Sequence, residues 1–175
     1  FKNLSILVDL DMSYNYIRKL EVGTFSYIEK IRSIVMNNNE IEVLENDLFT
    51  NLLNLTRVEF KNNRLKVIEV NTFGPSATLS TISLESNSLT TMQTETFSRL
   101  IKLTSLPLGH NPWNCSCDLY EFAKFVISKR LYTSPTSCME PPHLRDKLWK
   151  NVNAEHFACQ PRIVGSIRSI SAEQS

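Results

Sequence analysis

The sequence predicts a right-handed α/β solenoid of 24-residue turns, a parallel strand in each, closed by a disulfide-bonded C-terminal cap. Two observations carry that expectation: a strict 24-residue repeat through the first two thirds, and four cysteines confined to the last third. Internal periods of 20–50 residues are the mark of stacked repeat architectures. The chain of 175 residues has 42% apolar and 21% charged residues, an ordinary globular composition that excludes a disordered or collagen-like polymer.

The repeat is read by aligning Leu7, Ile31, Leu55, Leu79 and Leu103, each 24 residues after the last. Each opens a phrase with apolar residues at places one, four, six and eleven. The fourth place holds Leu10, Ile34, Val58, Ile82 and Leu106, and the sixth Met12, Met36, Phe60, Leu84 and Leu108. The eleventh holds Ile17, Ile41, Leu65, Leu89 and Trp113. The ninth is asparagine every time: Asn15, Asn39, Asn63, Asn87 and Asn111. A phenylalanine follows in step at 25, 49, 73 and 97, and Phe1 with Leu4 fits the tail of an earlier turn, so the chain is expected to start mid-repeat. The alternation around the fourth and sixth places reads as a short strand with one buried face. Stacked in parallel at about 4.8 Å, such strands merge their apolar places into one core. The asparagines are then expected to be buried where the strand turns away, their amides satisfying backbone groups of the loop and the neighbouring turn. Gly74–Pro75 precedes Ser76, which replaces the Ile28, Leu52 and Leu100 of other turns. A local bend is the plain reading, a contact loop the lesser one.

This phrase resembles the extracellular, 24-residue form of the leucine-rich repeat, over residues 1 to about 113. The following segment, Asn111-Pro112-Trp113-Asn114-Cys115-Ser116-Cys117, supplies the polar cover that a solenoid end needs, with Trp113 placed to close the core. Ser116 or Asp118 is expected to cap a helix carrying Leu119, Phe122, Phe125, Val126 and Leu131, with Lys129 and Arg130 at its end.

Cysteines 115, 117, 138 and 159 form C-x-C followed by two single residues. Zinc sites present pairs two to four residues apart, and His110, His143 and His156 make no ligand comb with these four. Two disulfides are the better reading, with a secreted or lumenal setting. Spacing alone leaves three pairings open. The segment 111–160 resembles the cysteine-flanked C-terminal cap of extracellular leucine-rich-repeat proteins through N-P-W-N-C-S-C-D-L, C-x-x-P-P-x-L and F-x-C. That resemblance implies Cys115 with Cys138 and Cys117 with Cys159. Phe122 and Phe125 stand where many relatives have Trp.

Residues 147–163 are similar to the cap-to-immunoglobulin junction of leucine-rich-repeat/immunoglobulin receptors, most like the kekkon type. The implied organisation is repeats over 1–110, a cap over 111–160 and, over 161–175, a junction towards an immunoglobulin-like domain. Toll-type receptors share repeat and cap but pass directly into a membrane span, whereas residues 165–175 are polar.

Function is read partly by exclusion. Nineteen basic and 18 acidic residues give a net charge of +1, spread without a basic module, so nucleic acid is not an expected partner. No apolar run reaches the roughly 18–20 residues of a spanning helix. No nucleophile elbow, phosphate loop or zinc-protease signature occurs, only four glycines are present, and neither a cofactor nor catalysis is expected. Three sequons stand at Asn3, Asn54 and Asn114. In a lumenal protein Asn54 and Asn3 are fair glycan acceptors, whereas the middle residue of the Asn114 sequon is a cysteine expected in a bridge. A glycan at Asn54 would close the edge near it to partners. The outward row of the strands is the expected recognition face, with Asp11, Tyr14, Tyr16, Asn37, Arg57, Glu59, Lys61 and Glu85 as its candidates. The expected function is non-enzymatic binding of a protein ligand or co-receptor, homophilic or not, by a single-pass receptor or adhesion ectodomain. The alternatives are a secreted matrix protein and the targeting part of a larger extracellular enzyme or receptor kinase.

Overall fold

The computed structural model describes residues 1, 4–74, 76, 78–131, 134–153 and 156–157. Strands β1 (Asp9–Asp11), β2 (Ser33–Val35), β4 (Arg57–Glu59) and β6 (Thr81–Ser83) form one parallel sheet in the order β1-β2-β4-β6. The register advances by the repeat length, Asp9 facing Ser33, Ser33 facing Arg57 and Arg57 facing Thr81. Strands β3 (Val43–Leu44) and β5 (Val67–Ile68) pair in a second, two-stranded parallel sheet that the sequence did not announce.

The fifth turn adds only an isolated bridge, Thr81 to Ser105, where a fifth strand was expected. Pro107 has no N–H to give, and the Leu106 N–H turns to Leu131 O of the cap at 2.8 Å. The sheet therefore hands its last rung to the cap.

The apolar places form one continuous core, with Ile34, Val58, Ile82, Leu55, Leu79 and Leu65 fully buried. Behind the strands the phenylalanines stack. Ring centroids are 5.6 Å apart for Phe25–Phe49, 5.7 Å for Phe49–Phe73 and 5.7 Å for Phe73–Phe97. The column continues at 5.6 Å onto Phe122 of the cap helix, so solenoid and cap share one aromatic spine. Offset aromatic pairs at these separations add about 0.5–1.5 kcal/mol each beyond area burial.

Four of the five asparagines are buried and form a ladder. The Asn63 amide donates to Met36 O (2.9 Å) and Phe60 O (3.2 Å), while its Oδ1 accepts the Ile41 N–H (3.1 Å). Asn39, Asn87 and Asn111 repeat that pattern. Asn15 differs: it is exposed and donates only within its own turn, to Met12 O and Ser13 O.

The cap helix α2 (Cys117–Ser128), which follows the single-turn helix α1 (Glu95–Ser98), buries Leu119, Phe122, Ala123 and Val126 against the last rung. Phe125 is only half-buried, and Leu131 is buried beyond the helix end. Ser116 is the N-cap, yet neither its hydroxyl nor Asp118 provides a capping bond. The bridged cysteines on either side fix the helix start instead. Cys115 pairs with Cys138, and Cys117 is also disulfide-bonded. Cys159, its expected partner, lies outside the described residues, as do Asn3 and the junction over 161–175. Among the described residues no helix is long and apolar enough to cross a membrane.

Candidate functional site: the strand face and its exit flank

Strand periodicity sends the fourth and sixth places inward and leaves the third, fifth and seventh outward. On that outward row five expected residues form one connected network. The Asn37 amide donates to Glu59 Oε2 at 2.8 Å, and the Lys61 N–H donates to Asn37 Oδ1 at 2.7 Å. Arg57 pairs with Glu59 on its own strand, and Lys61 Nζ reaches Glu85 Oε2 at 3.8 Å. Asp11 stands apart, accepting the Ser13 N–H at 2.9 Å. Hydrogen bonds from the Ser13 hydroxyl and backbone hold its carboxyl below the usual carboxylate range.

The two tyrosines sit where the chain leaves the sheet, not on the strand itself. The eighth place is left-handed in every turn: Tyr14 (φ 57°), Asn38 (58°), Asn62 (54°), Ser86 (56°) and His110 (56°). None is glycine. In the first four turns the strained geometry is held by a backbone bond from the eighth-place N–H to the next turn, as from Tyr14 to Asn37 O at 3.0 Å and from Asn62 to Glu85 O at 3.1 Å. Asparagine tolerates this region, but an aromatic seldom occupies it. The run of Asn, Asn and Ser in that column was the signal available in the sequence. Tyr14 and Tyr16 are 83% and 86% exposed.

Beside them runs a ladder of ion pairs. Glu40 receives Arg18 Nε at 2.8 Å on one oxygen and Arg64 Nη2 at 2.9 Å on the other. Lys66–Glu42 (2.8 Å) and Lys19–Glu45 (3.2 Å) complete it. The hydrogen bond from Arg18 holds the Glu40 carboxyl below its ordinary range, and Lys66 does the same to Glu42. These pairs are exposed, so they orient side chains more than they stabilise the fold.

At its C-terminal end the strand face is narrowed by the cap. A Cβ on Gly109 would stand 3.0 Å from both Pro135 O and Ser134 Oγ, so the cap loop rests directly on the last rung. Trp113 is fully buried, and its indole Nε1–H donates to Leu108 O at 3.0 Å. Every earlier sixth-place carbonyl receives amides from two successive asparagines. At Leu108 the second donor is this indole, a role of Trp113 that sequence reading missed.

A cleft of about 430 Å³ opens between β5 and residues 91–93, lined by Lys66, Val67, Ile68 and Met92 among others. Among the described residues no group of three or more His, Cys, Asp or Glu side chains could hold a metal ion. His110 is exposed at its turn.

Comparison with known proteins follows this architecture. Residues 1–120 match the family described as BspA type leucine-rich repeat region, in six copies. Human SLIT and NTRK-like protein 6 is 39% identical over 54 residues, which is 30% of this chain and 6% of that protein. The chain thus spans a small part of this curated relative. Among solved structures, a TLR13–ssRNA13 complex matches with TM-score 0.62 and 27% identity, covering 65% of this chain and 16% of that one. An octameric complex of Latrophilin 3, Unc5D and FLRT2 (LRR) matches at TM-score 0.67 and 23% identity, over 79% and 42%. At that identity the second likeness shows the fold alone. With a 24-residue register, an asparagine ladder and six matched copies over most of its length, the chain belongs to the leucine-rich-repeat family.

Proposed function

We propose that the chain is a non-catalytic recognition module of a cell-surface receptor or adhesion ectodomain, binding a protein partner through the strand face and its exit flank. One observation carries the reading. Exposed Tyr14 and Tyr16 stand at the margin of a polar network formed by Asn37, Arg57, Glu59, Lys61 and Glu85, on a hydrogen-bonded scaffold. Rigid presentation lowers the ordering cost of association, and tyrosine with arginine is the composition of binding hot spots.

The Cys115–Cys138 bridge supports an extracellular setting. FLRT2 (LRR) stands in a complex with Latrophilin 3 and Unc5D, which favours a protein partner by likeness. TLR13 is found with ssRNA13. Here, however, both strand-face cations, Arg57 and Lys61, are matched by glutamates, a poor arrangement for a polyphosphate. For the parent protein we adopt repeats over 1–110, a cap over 111–160 and an immunoglobulin-like domain after the junction, with a single span beyond. The kekkon-like stretch at 147–163 supports this organisation.

The test is a binding screen of the secreted chain, clustered on beads, against an array of extracellular protein domains. A partner whose signal falls at least about tenfold with Tyr16→Ala, Arg57→Glu and Lys61→Glu combined supports the reading, such losses being typical of hot spots. Partners that bind wild type and the triple variant equally would remove this face from consideration.

A further inference from the structure

The opposite flank, by which the chain enters each strand, carries features that recognition through the exit flank does not use. Asn54 ends its turn there, exposed, and its amide makes one long bond of 3.3 Å to Glu29 O. Thr56, two residues on, donates its hydroxyl to Arg32 O at 3.0 Å. Leu53 beside it is 78% exposed. A cleft of about 190 Å³ opens next to Leu53, floored by Phe49 and Phe73, where Ser76 stands in place of the leucine of neighbouring turns. Nothing among the described residues covers Leu53, and with the open cleft floored by Phe49 and Phe73 it forms a small continuous apolar surface.

We propose that Asn54 carries an N-linked oligosaccharide that covers Leu53 and closes this flank to protein partners, while Asn114 stays bare. Asn54-Leu55-Thr56 is a complete sequon, exposed at the turn, and a bulky, solubilising sugar tethered next to Leu53 is the nearest cover available. The asparagine's single long hydrogen bond is easily given up. Asn114 is exposed as well, but it is held in more constrained surroundings. Its neighbours Trp113 and Cys115 are 0% and 1% exposed, its N–H is tied to Thr90 O at 2.8 Å, and the middle residue of its sequon must form the bridge to Cys138. The consequence is a sided molecule, with one flank sugared and the tyrosine flank bare.

The proposal rests on the extracellular reading, because this modification belongs to the secretory lumen. The experiment separates the two. The chain is secreted from mammalian cells, whose N-glycans peptide-N-glycosidase F releases, treated with that enzyme in heavy-oxygen water, and digested with trypsin. The peptide spanning 33–57 holds Asn54 as its sole sequon asparagine. Heavy aspartate at 54 and unlabelled asparagine at 114 is the expected result. Thr56→Ala should abolish the label and Thr56→Ser should keep it. Unlabelled Asn54 in secreted, bridged protein overturns the glycan and leaves the extracellular reading standing. Retention in the cell with titratable thiols overturns both. For the covering role, deglycosylation should raise the fluorescence of a hydrophobic dye by about twofold, and Leu53→Ser should remove that rise. A dye signal indifferent to the sugar refutes the cover.

Discussion

Replacing Asn63 by alanine isolates the worth of one rung. Four backbone groups lose a partner: the Ile41 N–H, Met36 O, Phe60 O and, at 3.5 Å, Lys61 O, which keeps the Asn38 N–H at 2.9 Å. The carbonyls are insured. Met36 O still receives the Asn39 amide at 3.1 Å, and Phe60 O the Asn87 amide at 2.8 Å. The Ile41 N–H has no second acceptor, and Ile41 is fully buried. An orphaned buried donor costs about 1–3 kcal/mol, so Asn63→Ala should cost about 2 kcal/mol, nearly all of it at one N–H. Asn15→Ala is the internal control. Asn15 is exposed and Met12 O keeps the Asn39 amide at 3.0 Å, so its loss should fall within the roughly 0.5 kcal/mol of ordinary surface changes. Asn63→Asp keeps an acceptor for Ile41 but turns a carboxylate towards two carbonyl oxygens, and should cost more than alanine at neutral pH. Urea unfolding under non-reducing conditions, with slopes compared to verify a common transition, reads all three. Equal midpoints for the Asn15 and Asn63 variants would refute the idea that the ladder's value lies in its inter-turn acceptor.

Other outcomes follow from the same geometry. Phe73→Ala empties the middle of the aromatic column and should cost about 3–5 kcal/mol in the same unfolding assay. Gly109→Ala should displace the cap loop, seen as increased amide exchange at Ser134 and Thr136, because its Cβ meets Pro135 O at 3.0 Å. Loss of the Cys115–Cys138 bridge through a paired Ser substitution releases a loop with 23-residue separation and should cost about 3 kcal/mol by denaturation. The Glu40 carboxyl, depressed by Arg18, should titrate in carbon-detected NMR below its reference value of 4.5. Because its folded pKa is lowered, the ladder's contribution is present above that value and disappears as pH falls through the folded pKa. Arg18→Ala should move the titration upward.

How far the sequence could be read depends on which features repeat. The core, the asparagine column and the phenylalanine column recur every 24 residues, and periodic burial leaves periodic composition. The fifth strand fails through one residue, Pro107, whose missing N–H a repeat alignment does not weigh. The left-handed eighth place is occupied by Tyr, Asn, Ser and His, so side-chain chemistry announces it weakly. Phe122 joins the spine one residue out of step, in a helix, where no column analysis would place it. The strand-face network among Asn37, Arg57, Glu59, Lys61 and Glu85 depends on cross-turn distances. Composition nominated those residues singly and could not say that they touch.

Trp113 ends two different series at once. Its ring closes the apolar stack, and its indole N–H takes the position at Leu108 O that a sixth asparagine would have filled. The cap therefore reads only the final rung and is blind to how many precede it. Any 24-residue unit could be duplicated or excised upstream with the bonds of the asparagine ladder finding equivalent partners, though the cross-turn ion pairs would not. Length in this molecule is an evolutionary variable, while its terminus is a fixed fitting.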